Sequence, residues 1–111
     1  MLSYNDFSQL DIRIGTILSA ERVPETDKLI KLSVDIGEEA PRTLVAGIAA
    51  FVPDTATLIG KQIPLLANLE PRLLKGIESN GMILAASDED GGFALLSPDA
   101  SGKVRNGARV K

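Results

Sequence analysis

One nine-residue stretch, LIKLSVDIG (residues 29–37), constrains the fold more than any other part of the chain. From Ile30 to Ile36 its apolar and polar residues alternate strictly, so the two sets of side chains point in opposite directions. The apolar set is Ile30, Leu32, Val34 and Ile36, and the polar set is Lys31, Ser33 and Asp35. A period of two residues is the spacing of a β-strand with one buried face. The chain is therefore predicted to be built from β-strands.

Four other segments also have the composition of strands, and turn-forming residues separate them. They are residues 10–17 (LDIRIGTI), 42–48 (RTLVAGI), 61–69 (KQIPLLANL) and 81–87 (GMILAAS). Gly15 interrupts the first of these and predicts a bulge or a sharp bend, as small barrels need at their corners. Pro64 predicts that the strand around it is an edge strand or contains a bulge.

A short helix is predicted between the third and fourth strands. Residues 51–60 (FVPDTATLIG) follow the third strand, and Gly60 is placed to end the helix. Its N-cap is expected at Asp54 or Thr55.

The ends of the chain carry weaker signals. Residues 3–10 (SYNDFSQL) predict one or two helical turns capped by Ser3. Residues 89–93 (EDGGF) have the composition of a hairpin turn, and the pair at 106–107 (Asn-Gly) predicts a late turn.

Five strands with one short helix after the third predict an all-β protein, a small Greek-key barrel of the OB type. A chain of 111 residues fits one domain of this size, here residues 1–111.

The composition removes most kinds of catalytic and metal site. The chain has no Cys and no His, so it lacks thiol nucleophiles and the commonest general base and metal ligand. Its acidic clusters, Glu38–Glu39 and Asp88–Asp90, stand beside turn residues and are interpreted as solvated loops. We therefore expect a binding protein rather than an enzyme, with no metal and no cofactor.

The N-terminal residues lack the basic and apolar regions of a signal peptide. No apolar run approaches the roughly 20 residues needed to cross a bilayer. We expect a cytoplasmic protein that does not contact membranes.

The net charge of −3 argues at first against nucleic acid as a partner. The charges are unevenly distributed, however. Residues 61–81 hold three bases against two acids, and residues 103–111 hold four bases and no acid. The local field rather than the net charge decides which partner can bind.

The kind of nucleic acid is limited by the aromatic residues, of which there are three Phe, one Tyr and no Trp. These are too few for a row of stacked bases. A ligand held by its phosphates and shape, with one unpaired base among its contacts, fits better. Suitable donors lie between the fourth and fifth strands: Arg72, Lys75, Ser79 and Asn80. From chemistry alone, a solvated connection explains the two bases equally well, and core packing is the favoured interpretation of Met82.

Residues 68–86 (NLEPRLLKGIESNGMILAA) closely resemble the signature of a known family. It is the tRNA-binding OB-fold domain attached to methionyl-tRNA synthetases, which also occurs as a free-standing homodimeric tRNA-binding protein. Four further blocks resemble the same family in order: residues 7–17, 27–37, 42–48 and 60–64.

The resemblance implies a five-stranded barrel with a C-terminal extension, paired as a symmetric dimer. The basic tail (residues 103–111) either extends the RNA footprint or borders the dimer interface; we interpret Val104 and Val110 as interface residues and leave the role of the charges open. The resemblance also implies binding of tRNA by folded shape with little sequence preference, in support of a methionyl-tRNA synthetase. The implied contact residues are Asn68, Arg72, Lys75, Ser79, Asn80 and Met82, flanked by Arg42 and Lys61, with Lys28 and Lys31 on the same face of the barrel.

Four positions depart from the family pattern, and three of them lose a base or a polar group. Leu73 stands where a second base often follows the Arg, and Gln9 stands where Lys is frequent. In the turn before the second strand, Val23 replaces His and Thr26 replaces Ala. We expect weaker and more salt-sensitive tRNA binding than in basic relatives.

Two alternatives stay open at this point. A protein-export chaperone of the same fold is a relative, and a dimeric chaperone for apolar peptides suits the pI of 4.9. A module that docks onto the synthetase with reduced RNA affinity is the other alternative.

Overall fold

The computed structural model describes residues 1–99 and 103–111. One short helix, α1 (Tyr4–Ser8), precedes the sheet, and two 3₁₀ turns (Ala49–Phe51 and Thr55–Leu58) lie in its middle. The strands of the described residues are β1 (Ile12–Arg22), β2 (Ile30–Asp35), β3 (Arg42–Ala46), β4 (Gln62–Leu66), β5 (Arg72–Leu74), β6 (Ile77–Ser79), β7 (Met82–Ile83), β8 (Ala85–Ser87) and β9 (Phe93–Leu95).

Five strands form one antiparallel sheet in the order β3-β2-β1-β4-β7. The long β1 strand serves two neighbours, because Ile12–Thr16 pairs with β4 and Thr16–Arg22 pairs with β2. The two ends of the sheet approach each other where the Asn80 amide donates to the carbonyl of Thr43 at 2.9 Å. The result is a nearly closed five-stranded barrel, and the prediction of an all-β fold of the OB type is confirmed.

The core lies inside this barrel and comes from the alternating strands. Ile30, Leu32, Val34 and Ile36 are all buried, as the alternation in β2 predicts. Ile63 and Leu65 of β4 are fully buried opposite them.

The bulge in β1 falls at Leu18, where the pairing with β2 shifts between Ile17 and Ser19. Gly15 has a different role. A Cβ atom there would lie 2.7 Å from Cγ1 of Val34 and 2.8 Å from Cγ2 of Ile36. The missing side chain of Gly15 therefore makes room for the core residues of β2.

The predicted helix after the third strand is present as two 3₁₀ turns instead of one α-helix. The carboxylate of Asp54 caps the second turn by accepting from the Ala56 amide at 3.0 Å. Gly60 follows this turn with φ of +90°, a conformation that glycine adopts without strain. At the N-terminus, Ser3 caps α1 in a reciprocal capping box with Asp6.

The segment predicted as the fifth strand is divided between β7 and β8. β7 completes the barrel, whereas β8 pairs with β9 across the predicted hairpin turn. Pro64 of β4 pairs with Ile14 of β1, and β7 joins the other side of β4 only from Leu65 onward.

The C-terminal residues form the predicted extension. They turn at Gly107, where φ is +91°. They then run beside the first half of β1, with the amide of Val110 donating to the Ile12 carbonyl at 2.8 Å and that of Ile14 to the Ala108 carbonyl at 2.9 Å. No helix in the described part of the chain is long and apolar enough to span a membrane.

Candidate nucleic-acid interface

Proteins with this fold bind oligonucleotides on the outer face of the second and third strands and on two flanking loops. Here the loops are residues 23–29, between β1 and β2, and residues 67–81, between β4 and β7. The predicted contact residues on β2, β3, β7 and these loops are Lys28, Lys31, Arg42, Asn68, Arg72, Lys75, Ser79, Asn80 and Met82. Lys61 lies on neither loop.

The second loop contains a hairpin that the sequence reading did not predict. β5 pairs with β6, and Leu74 lies opposite Ile77, so only Lys75 and Gly76 form the turn. Both have positive φ, +50° and +78° respectively. Positive φ at both central residues is the type I′ turn that matches the twist of paired strands. We call residues 72–79 the basic hairpin.

The basic hairpin carries two cations that form no ion pair with the described residues. Arg72 stands at the start of β5 and Lys75 at the tip, and both are exposed. Neither side chain has an ion pair or hydrogen bond to any described residue. They are available to bind a polyanion.

Arg42 holds the base of this loop instead of facing solvent. Its Nη1 donates to the Ala67 carbonyl at 2.6 Å and to the Asn80 carbonyl at 3.2 Å. These two carbonyls stand at opposite ends of the loop, so one side chain joins its entry to its exit. The other side of the guanidinium donates to both carboxylate oxygens of Glu38, at 2.9 and 3.0 Å. The hydrogen bond to Glu38 raises the pKa of Arg42.

Two other predicted contact residues also make internal bonds. Ser79 is only 5% exposed, and its hydroxyl accepts from the Val45 amide at 2.9 Å and donates to the Gly81 carbonyl at 3.2 Å. The Asn68 side chain accepts from the Asp11 amide at 2.9 Å and donates to the Gln9 carbonyl at 2.8 Å. In this conformation both side chains fasten the loop to the barrel.

Asn80 and Met82 are differently placed. The side-chain amide of Asn80 has no hydrogen-bond partner in the described residues, and it borders a shallow depression with Arg42 and Pro71. Met82 is 46% exposed on β7. The interpretation of Met82 as a core residue is therefore wrong, and its thioether is available on the surface.

The three predicted contact lysines outside the basic hairpin differ in their surroundings. Lys28 is exposed in the first loop, without a partner among the described side chains. Lys31 on β2 lies 3.8 Å from a carboxylate oxygen of Glu21, a loose exposed pair. Lys61 precedes β4 whereas Asn68 follows it, and strand residues rise about 3.3 Å each. The structure therefore separates Lys61 from the basic hairpin by the length of β4.

Glu38 is a residue of this site that the sequence reading missed, because it was interpreted as part of a solvated acidic loop. Its position four residues before Arg42, across the turn that starts β3, is the signal that was available. The pKa of Glu38 is lowered, chiefly because its carboxylate accepts hydrogen bonds from Arg42. The pKa of Asp11 is lowered in the same way by Arg13.

Within residues 1–99 and 103–111, no three His, Cys, Asp or Glu side chains come together in a way that could hold a metal ion. The arrangement offers charge and hydrogen bonds to a ligand.

Comparison with known proteins identifies the family. Residues 12–108 match the family model described as "Putative tRNA binding domain". A methionine–tRNA ligase of Methanosarcina mazei is 46% identical over 111 residues, which cover 100% of this chain and 15% of the ligase. A methionine–tRNA ligase of Porphyromonas gingivalis strain W83 is 48% identical over 111 residues, which cover 99% of this chain and 16% of the ligase. The chain thus spans about 15% of the length of the curated relatives that it matches.

Several solved structures cover the whole chain. The crystal structure of a MetRS related protein from Pyrococcus horikoshii has a TM-score of 0.90 at 38% identity, covering 100% of this chain and 98% of that one. The crystal structure of the chaperone CsaA from Bacillus anthracis strain Ames has a TM-score of 0.85 at 32% identity, covering 100% and 99%. This chain therefore belongs to the tRNA-binding domain family that is also found in methionine–tRNA ligases.

Proposed function

We propose that this domain binds tRNA through its folded shape, with little preference for sequence. The observation that carries the proposal is the basic hairpin, where Arg72 and Lys75 project, without partners among residues 1–99 and 103–111, from a loop that Arg42 fixes to the barrel. Contacts of this kind go to phosphates, which position a nucleic acid without reading its bases.

The contact set that we propose is smaller than the one that the resemblance implies. It consists of Lys28, Arg72, Lys75, Asn80 and Met82, with Lys31 at its edge. Arg42, Asn68 and Ser79 act by positioning the loop, because their polar atoms are engaged within the chain.

We further propose that the domain supports a methionyl-tRNA synthetase in the cytoplasm, as a module of that enzyme or as a separate subunit. The similarity to methionine–tRNA ligases along the whole chain supports this assignment. In this assignment the domain increases the time that tRNA spends near the enzyme and takes no part in the chemistry.

The domain is also proposed to act as a homodimer. An apolar groove is lined by Ile12, Ile14, Pro64, Leu84, Leu96, Val104 and Val110, among others, and we call it the apolar face. Leu96 and Val104 on it are 43% and 42% exposed, so a second copy would remove apolar surface from water. Both valines that were expected at an interface are part of this face.

The test is a fluorescence titration with unfractionated tRNA at two salt concentrations, with a single-stranded RNA of equal length as competitor. Binding should weaken with salt by a slope of about −0.7 to −0.9 per phosphate contacted. The double variant Arg72→Ala/Lys75→Ala should reduce that slope by about 1.4 to 1.8. Absence of binding at low salt would contradict the proposal.

The matched control is Arg105→Ala/Lys111→Ala, which removes the same charge from exposed positions of the C-terminal extension. It should leave the slope nearly unchanged. An equal loss in both double variants would mean that the basic hairpin has no special role and that only net charge matters.

A second candidate function is a chaperone for apolar peptides. It is favoured by the similarity to CsaA over the whole chain and by the net charge of −3. Suppression of aggregation of a denatured client, without tRNA binding and without effect of Arg72→Ala/Lys75→Ala, would support this candidate instead. Co-purification with the catalytic synthetase chain, again without tRNA binding, would support the docking module.

A further inference from the structure

A second groove, distant from the basic hairpin, lies at the start of β4. Its volume is about 600 Å³, within the roughly 300–1,000 Å³ of small-ligand sites. The residues of interest in its lining are Phe51, Leu58, Lys61, Phe93, Leu96 and Lys103. We call it the aromatic groove.

Two of the three phenylalanines of the chain form its wall. The rings of Phe51 and Phe93 are stacked, with centroids 4.4 Å apart and planes 7° from parallel. Phe93 packs against the hydrophobic core, whereas Phe51 stays 48% exposed. One ring can cover only one face of another, so Phe93 supports Phe51 on one side, and Phe51 lines the groove with about half of its surface exposed.

The backbone that carries Phe51 is fixed as well. Phe51 ends the first 3₁₀ turn, and the Arg22 guanidinium donates to the Val52 carbonyl at 2.6 Å and to the Ala49 carbonyl at 3.4 Å. An aromatic surface that is already oriented loses little conformational entropy when a ligand stacks on it.

The groove also contains positive charge. Lys61 and Lys103 both line it, together with the carboxylate of Asp99. A planar aromatic surface beside an ammonium group matches a nucleotide, whose base stacks and whose phosphate is anionic. An apolar peptide would use the rings and gain nothing from the two ammonium groups.

We propose that the aromatic groove binds one unpaired nucleotide of RNA, with the base stacked on Phe51 and a phosphate near Lys61. This inference rests on the proposed function and extends it, because a folded RNA can contact the basic hairpin and the groove together. A single stacking position agrees with a chain that has only four aromatic residues. Duplex parts of the RNA would be held by phosphates, and one base outside a duplex would be held here.

The test uses nuclear magnetic resonance of the whole chain, with AMP and a single-stranded pentanucleotide as probes. Aromatic signals come from only three Phe and one Tyr, so they can be assigned by substitution. Both probes should shift the ring protons of Phe51 and leave those of Tyr4 and Phe7 unchanged.

Phe51→Leu keeps an apolar side chain and should weaken pentanucleotide binding at least about fivefold. Tyr4→Leu, at an aromatic residue 76% exposed on α1, is the matched control and should have no effect.

Lys61→Ala is a second variant that does not alter the ring stack. It should lower the salt dependence of pentanucleotide binding by a slope of about 0.7, the value for one phosphate of a single strand. It also keeps the test decisive if Phe51→Leu disturbs folding.

The outcomes separate this inference from the proposed function. If tRNA binds and neither probe shifts Phe51, the inference is overturned and the proposed function stands. If the pentanucleotide binds at Phe51 and tRNA does not, the groove stands and the proposed function fails. Shifts caused by an apolar peptide and not by the pentanucleotide would overturn the inference in favour of peptide binding.

Discussion

At the scale of single residues, four of the arginines stabilise the fold through hydrogen bonds within the chain. They lie outside the two loops and the C-terminal turn. Arg13, Arg22, Arg42 and Arg109 all donate to backbone carbonyls or to carboxylates. The exposed bases on the two loops, Lys28, Arg72 and Lys75, have no such partners among the described residues. Sequence alone cannot make this division, because partner carbonyls such as those of Ala67 and Asn80 come from distant parts of the chain.

Arg42→Lys tests the structural role of this arginine. Lysine keeps the charge, but a single ammonium group cannot bind Glu38 and two carbonyls in the fork geometry of a guanidinium. If Arg42 positions the loop, Arg42→Lys should weaken tRNA binding nearly as much as Arg42→Ala and speed hydrogen exchange of the Asn80 amide. Arg72→Lys is the matched control and should bind almost normally. Normal binding by Arg42→Lys would mean that Arg42 contacts phosphate directly.

Two arginine–carboxylate pairs, Arg42 with Glu38 and Arg13 with Asp11, should make the stability of the domain depend on pH in the acid range. Hydrogen bonds from arginine lower the pKa values of Asp11 and Glu38 below their ordinary 3.8 and 4.5. Groups with lowered pKa values stabilise the fold at pH above the ordinary values, and this contribution is lost as the pH falls through the folded-state pKa. The melting temperature should therefore fall as the pH is lowered from about 5 through the ordinary values of 4.5 and 3.8 and below them. Glu38→Gln should show a smaller drop, and an equal drop would contradict the assignment.

At the scale of secondary-structure elements, β1 depends on a glycine that lies under two core residues of β2. Gly15→Ala would place a Cβ atom within 3.0 Å of Val34, Ile36 and the Asp35 carbonyl. Overpacking of this kind costs about 1–3 kcal/mol in the free energy of unfolding. Gly47→Ala is the matched control, because a Cβ atom there has no neighbour within 4 Å. Denaturant titration should show a clear loss for the first variant and little change for the second.

A strand whose apolar and polar residues alternate could be predicted from sequence, whereas short strands without this alternation could not. β2 combines a period of two with turn residues at both ends, and its burial follows the prediction residue by residue. β5 and β6 have only three residues each, and their Lys75–Gly76 turn lacks the Asn-Gly or Asp-Gly pair that marks most hairpins. The pairing of the C-terminal extension with β1 joins residues almost a hundred positions apart. No local pattern reports such a contact.

At the scale of the whole molecule, the open question is how an acidic chain holds a polyanion. Arg72 and Lys75 of the basic hairpin have no ion-pair partner among the described residues, but Glu70 and Glu78 lie close to them in sequence and the net charge of the chain is −3. Two copies of a weak site on one continuous ligand raise the affinity without any new contact, provided that both sites can engage together. A symmetric pair formed through the apolar face would present two such hairpins.

Val104→Glu/Val110→Glu tests this arrangement by placing two charges on the apolar face, at residues that do not line the aromatic groove. Light scattering should then report a monomer, because a dimer would bury both carboxylates without partners. The affinity for tRNA should fall at least about tenfold as the second site is lost, whereas pentanucleotide binding should not change. Leu18→Glu, at a residue 46% exposed on the β1 bulge, is the control and should stay dimeric. A wild-type chain that is already monomeric would contradict the dimer, and tRNA would then have to be held by a single copy of the basic hairpin.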